Sequence, residues 1–199
     1  NLKAILFLSL LTVLPALLIT TTSFTRIIIV FSILRQALGI PNVPGNQIIL
    51  GLSLIMTIFV MMPVFNKIYQ ESIQTYLEGS ITEEVALTRS AEHLKQFMLK
   101  QTRKTDLNLF INFSKIKITN EEYPFYLVMP AFIISELKSA FQIGFLIFLP
   151  FLIIDLVTAS VLMSMGMMML SPMVISLPFK LLFFVMVNGW NLMTASLIT

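Results

Sequence analysis

Charged residues punctuate the chain, and the uncharged intervals between them predict its elements. Between Lys3 and Arg26 there is no charge, and the stretch is rich in Leu, Ile and Val. About 20 apolar residues in a helix cross the roughly 30 Å hydrocarbon core of a bilayer, so this interval predicts a first span, with apolar character resuming after Arg26 as far as Leu38. Pro15 removes a backbone hydrogen bond and predicts a bend. Gly39, Pro41, Pro44 and Gly45 predict the end of that region. A second uncharged interval, Gln36 to Asn66, has its apolar part at Ile48 to Val64, and Pro63 is expected to close it. Hydrophobicity returns at Tyr123 and is interrupted before Lys180 only by Glu136, Lys138 and Asp155. A third span is expected over roughly Ser139 to Leu170, as one bent helix or two half-helices, with Gly144, Pro150 and Gly166 as breaks. A fourth runs from Leu177 to Ile198.

The stretch from Lys67 to Glu122 differs in kind, since it holds eight acidic and eight basic residues. It predicts a wet, largely helical insert between apolar helices. Within it Leu87, Ala91, Leu94 and Met98 recur at i, i+4, i+7 and i+11, one stripe of an amphipathic helix. Thr82 has the chemistry of an N-cap, and Glu83 and Glu84 would suit the first turn. His93, beside Glu92 and Lys95, reads as a solvated residue on the polar side. No fixed-period repeat or low-complexity linker divides the chain, so residues 1–199 read as one all-α domain of hydrophobic helices and helical hairpins, with 67–122 as its polar insert.

Composition agrees with a chain facing lipid or other apolar chains: 57% of residues are hydrophobic, 12% are charged and mean hydropathy is +0.90. An ordinary soluble domain carries about 25% charged residues. The net charge of +3 is scattered and forms no basic face, which argues against nucleic acid. Cys is absent and His93 is the single histidine, which argues against a disulfide framework, a thiolate metal site and most acid–base chemistry. The apolar run after Lys3 is too long for a signal peptide and reads as a membrane-type helix. No Walker loop, G-x-S-x-G or H-E-x-x-H occurs, so neither an enzyme nor a cofactor is expected. Arg26 and Arg35 lie between spans one and two, and Lys180 between three and four. Placing both connections in the cytoplasm leaves the insert and both termini outside.

The remaining candidates are polar or soft groups stranded in apolar sequence. An Asp, Lys or Arg at the centre of a membrane helix costs about 2.5–3.5 kcal/mol on insertion scales, so such groups face an interior and find partners. Glu136 and Asp155 are the best placed, and Lys138, Arg26 and Arg35 join them as candidates for buried charge or subunit packing. Glu136 and Lys138 stand two positions apart, which points them to different sides of a helix, so each is expected to meet another segment or another copy. The plainer alternative is that they mark the wet end of the third span. Met163, Met165, Met167, Met168 and Met169 cluster within seven residues. Unbranched, polarizable Met could form a compliant seal around a pore, or simply fill gaps between helices. Thr20, Thr21, Thr22, Ser23 and Thr25 can bond the helix backbone or a neighbouring helix.

Longer strings add a resemblance. Residues 22–30 (Thr-Ser-Phe-Thr-Arg-Ile-Ile-Ile-Val), then Leu34-Arg35-Gln36-Ala37-Leu38-Gly39 and Pro44-Gly45-Asn46-Gln47, resemble the first signature of the FliP family, called SctR in injectisomes. The second signature is matched by residues 130–145, continuing through Pro150-Phe151-Leu152-Ile153-Ile154-Asp155-Leu156, the Met cluster and Leu177-Pro178-Phe179-Lys180. Asn188-Gly189-Trp190 stands where the flagellar branch has Asp-Gly-Trp. The family begins with a cleaved leader and a short segment ahead of the position of Lys3, so the resemblance implies a front truncation.

It also implies a core subunit of the flagellar type III protein-export gate, in the bacterial inner membrane at the flagellar basal body, required for flagellum assembly. A homo-oligomer, a pentamer in relatives, would build a tapering helical channel with FliQ and FliR, in working contact with FlhB and FlhA, and pass unfolded flagellar subunits. The Met-rich loop would be a gasket at the constriction, and Glu136 would pack between neighbouring subunits. The apolar helices would pack largely against one another above the bilayer plane. The competing reading is a small-solute secondary transporter with Asp155 at its site.

Overall fold

The computed structural model describes residues 12, 15–114, 122–167 and 169–198. Among them the regular structure is helical, without a strand: α1 (Pro15–Thr21), α2 (Phe24–Ala37), α3 (Asn46–Ile68), a π-helical turn (Tyr69–Ile73), α4 (Gln74–Leu77), α5 (Glu83–Gln101), α6 (Lys104–Ser114), α7 (Phe125–Ser164), α8 (Pro172–Met186) and α9 (Gly189–Ile198). The chain is all-α. Its residues fall into two compact units, one made of 1–25 and 54–138, the other of 26–53 and 139–199.

Several element boundaries differ from those the sequence predicts. The helix expected to close at Pro63 runs through it to Ile68, and with the π-helical turn and α4 forms a 32-residue apolar rod, Asn46–Leu77. Proline costs one backbone bond, but apolar surroundings offer the neighbouring carbonyls no better partner than the helix itself. For the same reason α7 passes Pro130, Gly144 and Pro150 unbroken for 40 residues, starting at Phe125 instead of Ser139. Glu136 and Lys138 therefore lie inside the helix, with the Lys138 side chain half exposed. The first and fourth expected spans are each broken: the chain bends by 79° at Thr22-Ser23 and by 63° at Val187-Asn188. Among the described residues two helices are long and apolar enough to cross a membrane, or up to four if each bent pair is one span. The bend expected at Pro15 borders residues 13–14, which, like residues 1–11, lie outside the described residues.

In the first unit the core joins Met61 of α3, Phe97 and Met98 of α5, and Val128 and Phe132 of α7, with Phe97 and Phe132 edge-on at 5.9 Å. The stripe predicted for α5 is thus only half used. Leu94 and Met98 pack inward, while Leu87 and Ala91 stay exposed, because the core reaches only the C-terminal half of that helix. Thr82 occupies the N-cap with extended backbone but makes no side-chain cap bond, and Glu83 and Glu84 fill the first turn. His93 is not solvated as expected: its side chain is 13% exposed and its Nε2 lies 3.1 Å from Glu71, which the π-helical turn presents to α5. The threonines turn back on the backbone, Thr20 to Ala16, Thr21 to Leu17 and Thr25 to Ile19.

In the second unit, Gly144 is needed because Ile33 of α2 occupies the space a Cβ would take. Gly189 lies likewise against the Phe184 ring, which also meets Trp190 edge-on at 5.4 Å. The α8–α9 bend turns on Asn188, at φ 51°. Asn and Asp enter this left-handed region more readily than other side chains, so either residue serves the turn.

Candidate functional site: a braced hairpin and its methionine loop

The most constrained chemistry of the second unit lies between α7 and α8. Ser176 and Lys180 stand four residues apart, on one face of α8. Lys180 is 2% exposed, and its ammonium donates to Asp155 Oδ2 at 2.6 Å and to the Ala37 carbonyl at 3.0 Å. Ser176 donates to Asp155 Oδ1 at 2.5 Å. One cation thus ties α7 and α8 to the C-terminal turn of α2, where unpaired carbonyls favour positive charge. Gly39 follows in left-handed conformation, its Cα facing Met173, Leu177 and the Lys180 ammonium.

The braced hairpin closes through the Met cluster. Gly166, at φ 73°, ends α7 in a Schellman motif: the Met167 N–H bonds the Leu162 carbonyl at 3.0 Å and the Gly166 N–H bonds the Met163 carbonyl at 3.0 Å. Met163, Met165, Met167 and Met169 are all exposed, Met169 completely, while Met168 lies outside the described residues. A stiff frame therefore carries a tip of soft, unpartnered thioethers.

The first unit holds a second polar joint. Asp106 of α6, 2% exposed, accepts from the Lys138 ammonium and from Ser135 Oγ at 2.9 Å, and Ser135 Oγ accepts the Arg103 N–H at 3.0 Å. The hydrogen bond from Lys138 lowers the Asp106 carboxyl below its ordinary 3.8, with Ser135 and the charges of Lys138 and Arg103 adding to it, against burial, which acts to raise it. Glu136, next along α7, is buried. Arg26 is buried as well, and Arg35 donates to Asn46 Oδ1 at 2.6 Å and to the Pro44 carbonyl at 3.3 Å, holding the α2–α3 connection. Of the sequence candidates, the structure joins Asp155 to Lys180 and Lys138 to Asp106. Asp106, Ser135, Ser176 and Lys180 are not singled out as site residues by sequence. Asp106 is one of eight acids in a polar segment, and only the apolar Leu107 and Leu109 around it hint at burial.

Residues 7–197 match the FliP family. The chain belongs to that family. It is 54% identical over 199 residues to the flagellar biosynthetic protein FliP of Pectobacterium carotovorum subsp. carotovorum, covering 99% of this chain and 77% of that protein. It is 53% identical to the protein of the same name from Buchnera aphidicola subsp. Baizongia pistaciae, of which it spans 55%, and 50% identical to that of Bacillus subtilis, of which it spans 90%. The chain spans about half the length of the Buchnera relatives. The Asp155–Lys180 brace and the Met loop lie well inside the part of this FliP-family chain that matches.

Proposed function

We propose that this chain is a structural core subunit of the protein-conducting export gate of the bacterial flagellar type III secretion system, required for flagellum assembly and without catalysis of its own. Its relatives carry the name flagellar biosynthetic protein, and the two long apolar helices support membrane residence. The observation that carries the gate reading is the hairpin: the buried Lys180 ammonium fixes α8 against Asp155 of α7, and the turn between them displays exposed methionines. Copies of such a hairpin around an axis would present a ring of thioethers that yields to a passing chain and closes behind it.

A homo-oligomer, pentameric by family resemblance, assembled with FliQ and FliR and contacted by FlhB and FlhA in the bacterial inner membrane, is the arrangement this reading entails. It is supported by how little of the two apolar rods the chain covers itself: 22% of the residues in the apolar window of Asn46–Leu77 and 11% in that of Phe125–Ser164 are buried. Lipid or neighbouring subunits must cover the rest. The transporter reading has less support, since the Asp155 carboxylate is already held by Lys180 and Ser176. The test is ion leakage through gates carrying Met167→Ala, Met168→Ala and Met169→Ala together. Increased leakage with the ring still assembled is expected, and unchanged leakage in a gate held open downstream overturns the gasket.

A further inference from the structure

A cleft of about 200 Å³ in the first unit is not used by the hairpin or the Asp106 joint. Its walls are two stripes of identical spacing: Val60, Pro63, Val64 and Lys67 on α3, and His93, Gln96, Phe97 and Lys100 on α5. Each stripe follows i, i+3, i+4, i+7 and ends in a lysine. The helices run antiparallel, since Glu71, beyond the end of α3, meets His93, while Phe97 shares a core with Met61. The lysines therefore stand at opposite ends of the cleft, about 10 Å apart along the helix axes at 1.5 Å per residue.

Neither lysine has an acidic partner among the described residues, and both are exposed. His93 Nδ1 is buried without a hydrogen-bond partner, and Glu71, the acid that touches this wall, is already engaged through Nε2. Between the cations Val60, Pro63, Val64 and Phe97 make the lining mostly apolar, with Gln96 and His93 as its polar members, and the apolar side continues along α3 through Met56 and Phe59, one turn before Val60 and Pro63. Phe59 is exposed on a rod that is long and apolar enough to cross a membrane.

We propose that this cleft binds the headgroup of an anionic phospholipid, its phosphate held by Lys67 and Lys100, with an acyl chain following the exposed stripe of α3. A soluble anion would need the cations but not the apolar track, and a neutral lipid would need the track but not the cations. Basic pockets flanking membrane helices hold anionic headgroups in this way, each lysine contributing about fivefold in affinity.

The test is native mass spectrometry of the full chain in detergent, titrated with phosphatidylglycerol and, separately, phosphatidylcholine. The wild-type protein is expected to retain phosphatidylglycerol in preference to phosphatidylcholine. Lys67→Gln with Lys100→Gln should weaken that retention by about tenfold or more, while Lys67→Arg with Lys100→Arg should keep it. Equal retention by the wild-type and Gln proteins overturns the proposal. So does loss in both the Gln and Arg variants, because charge would then not be what binds. Displacement of phosphatidylglycerol by millimolar inorganic phosphate would overturn the lipid as the source of the phosphate.

Discussion

Lys180 shows how a charge becomes tolerable in an apolar protein. Alone on α8 it would cost about 2.5–3.5 kcal/mol in hydrocarbon, yet here the ammonium has a carboxylate and a helix-terminal carbonyl as acceptors. Lys180→Met leaves Asp155, whose side chain is a quarter exposed, with Ser176 only, so the cost should fall below the ~3–5 kcal/mol of a fully buried pair, at about 1–3 kcal/mol. Thermal melting in detergent should show the loss, and restoring it by adding Asp155→Leu would confirm that the orphaned carboxylate is the cause. Asp106→Asn weakens the bonds to Lys138 and Ser135, with an expected cost of about 1–3 kcal/mol. Because the folded-state carboxyl lies below 3.8, its contribution is fully present above that value and is lost as pH falls toward the folded pKa. The melting difference between wild type and Asp106→Asn should therefore be largest at neutral pH and narrow below pH 3.8. Glu136→Ala removes a carboxylate that the chain itself buries, leaving its surroundings without their polar partner, and is expected to lower the melting temperature of the subunit and with it the yield of assembled ring in detergent.

At the scale of elements, the hairpin α7–α8 depends on one backbone conformation. Gly166 sits at φ 73° with open space where a Cβ would go, so Gly166→Ala meets backbone strain and no clash. A cost of about 1 kcal/mol is expected, and hydrogen exchange of the Met165 and Met167 amides should speed up relative to the middle of α7. Gly144→Val is the opposite case, in which the obstacle is Ile33 and not the backbone. Gly144→Val with Ile33→Ala should melt above Gly144→Val alone, since the pair makes room across α2 and α7.

For the whole molecule, the dominant fact is uncovered apolar surface on helices too long and too greasy to stand in water. Hydropathy cannot distinguish lipid from an apolar protein neighbour, because in hydrocarbon helices associate through packing and polar contacts, with little hydrophobic drive between them. Size-exclusion chromatography with light scattering in mild detergent should give a closed ring, with small helical partners co-purifying. A monomer that binds a small solute would favour transport.

The sequence by itself determined that the chain is helical, that it is built for an apolar setting and, through its ordered motifs, its family. Those properties are sums over many residues or strings read in order, and no single contact alters them. It misplaced the ends of α3 and α7 at Pro63 and Ser139, since a proline or a charge stops a helix in water but not where the backbone has no other partner. It could flag Asp155 and Lys138 as stranded but could not name Lys180 or Asp106, 25 and 32 residues away, as their partners. Which charges meet, which half of α5 is buried and where His93 turns are set by helices packing across long sequence separations, and only the tertiary structure decided them.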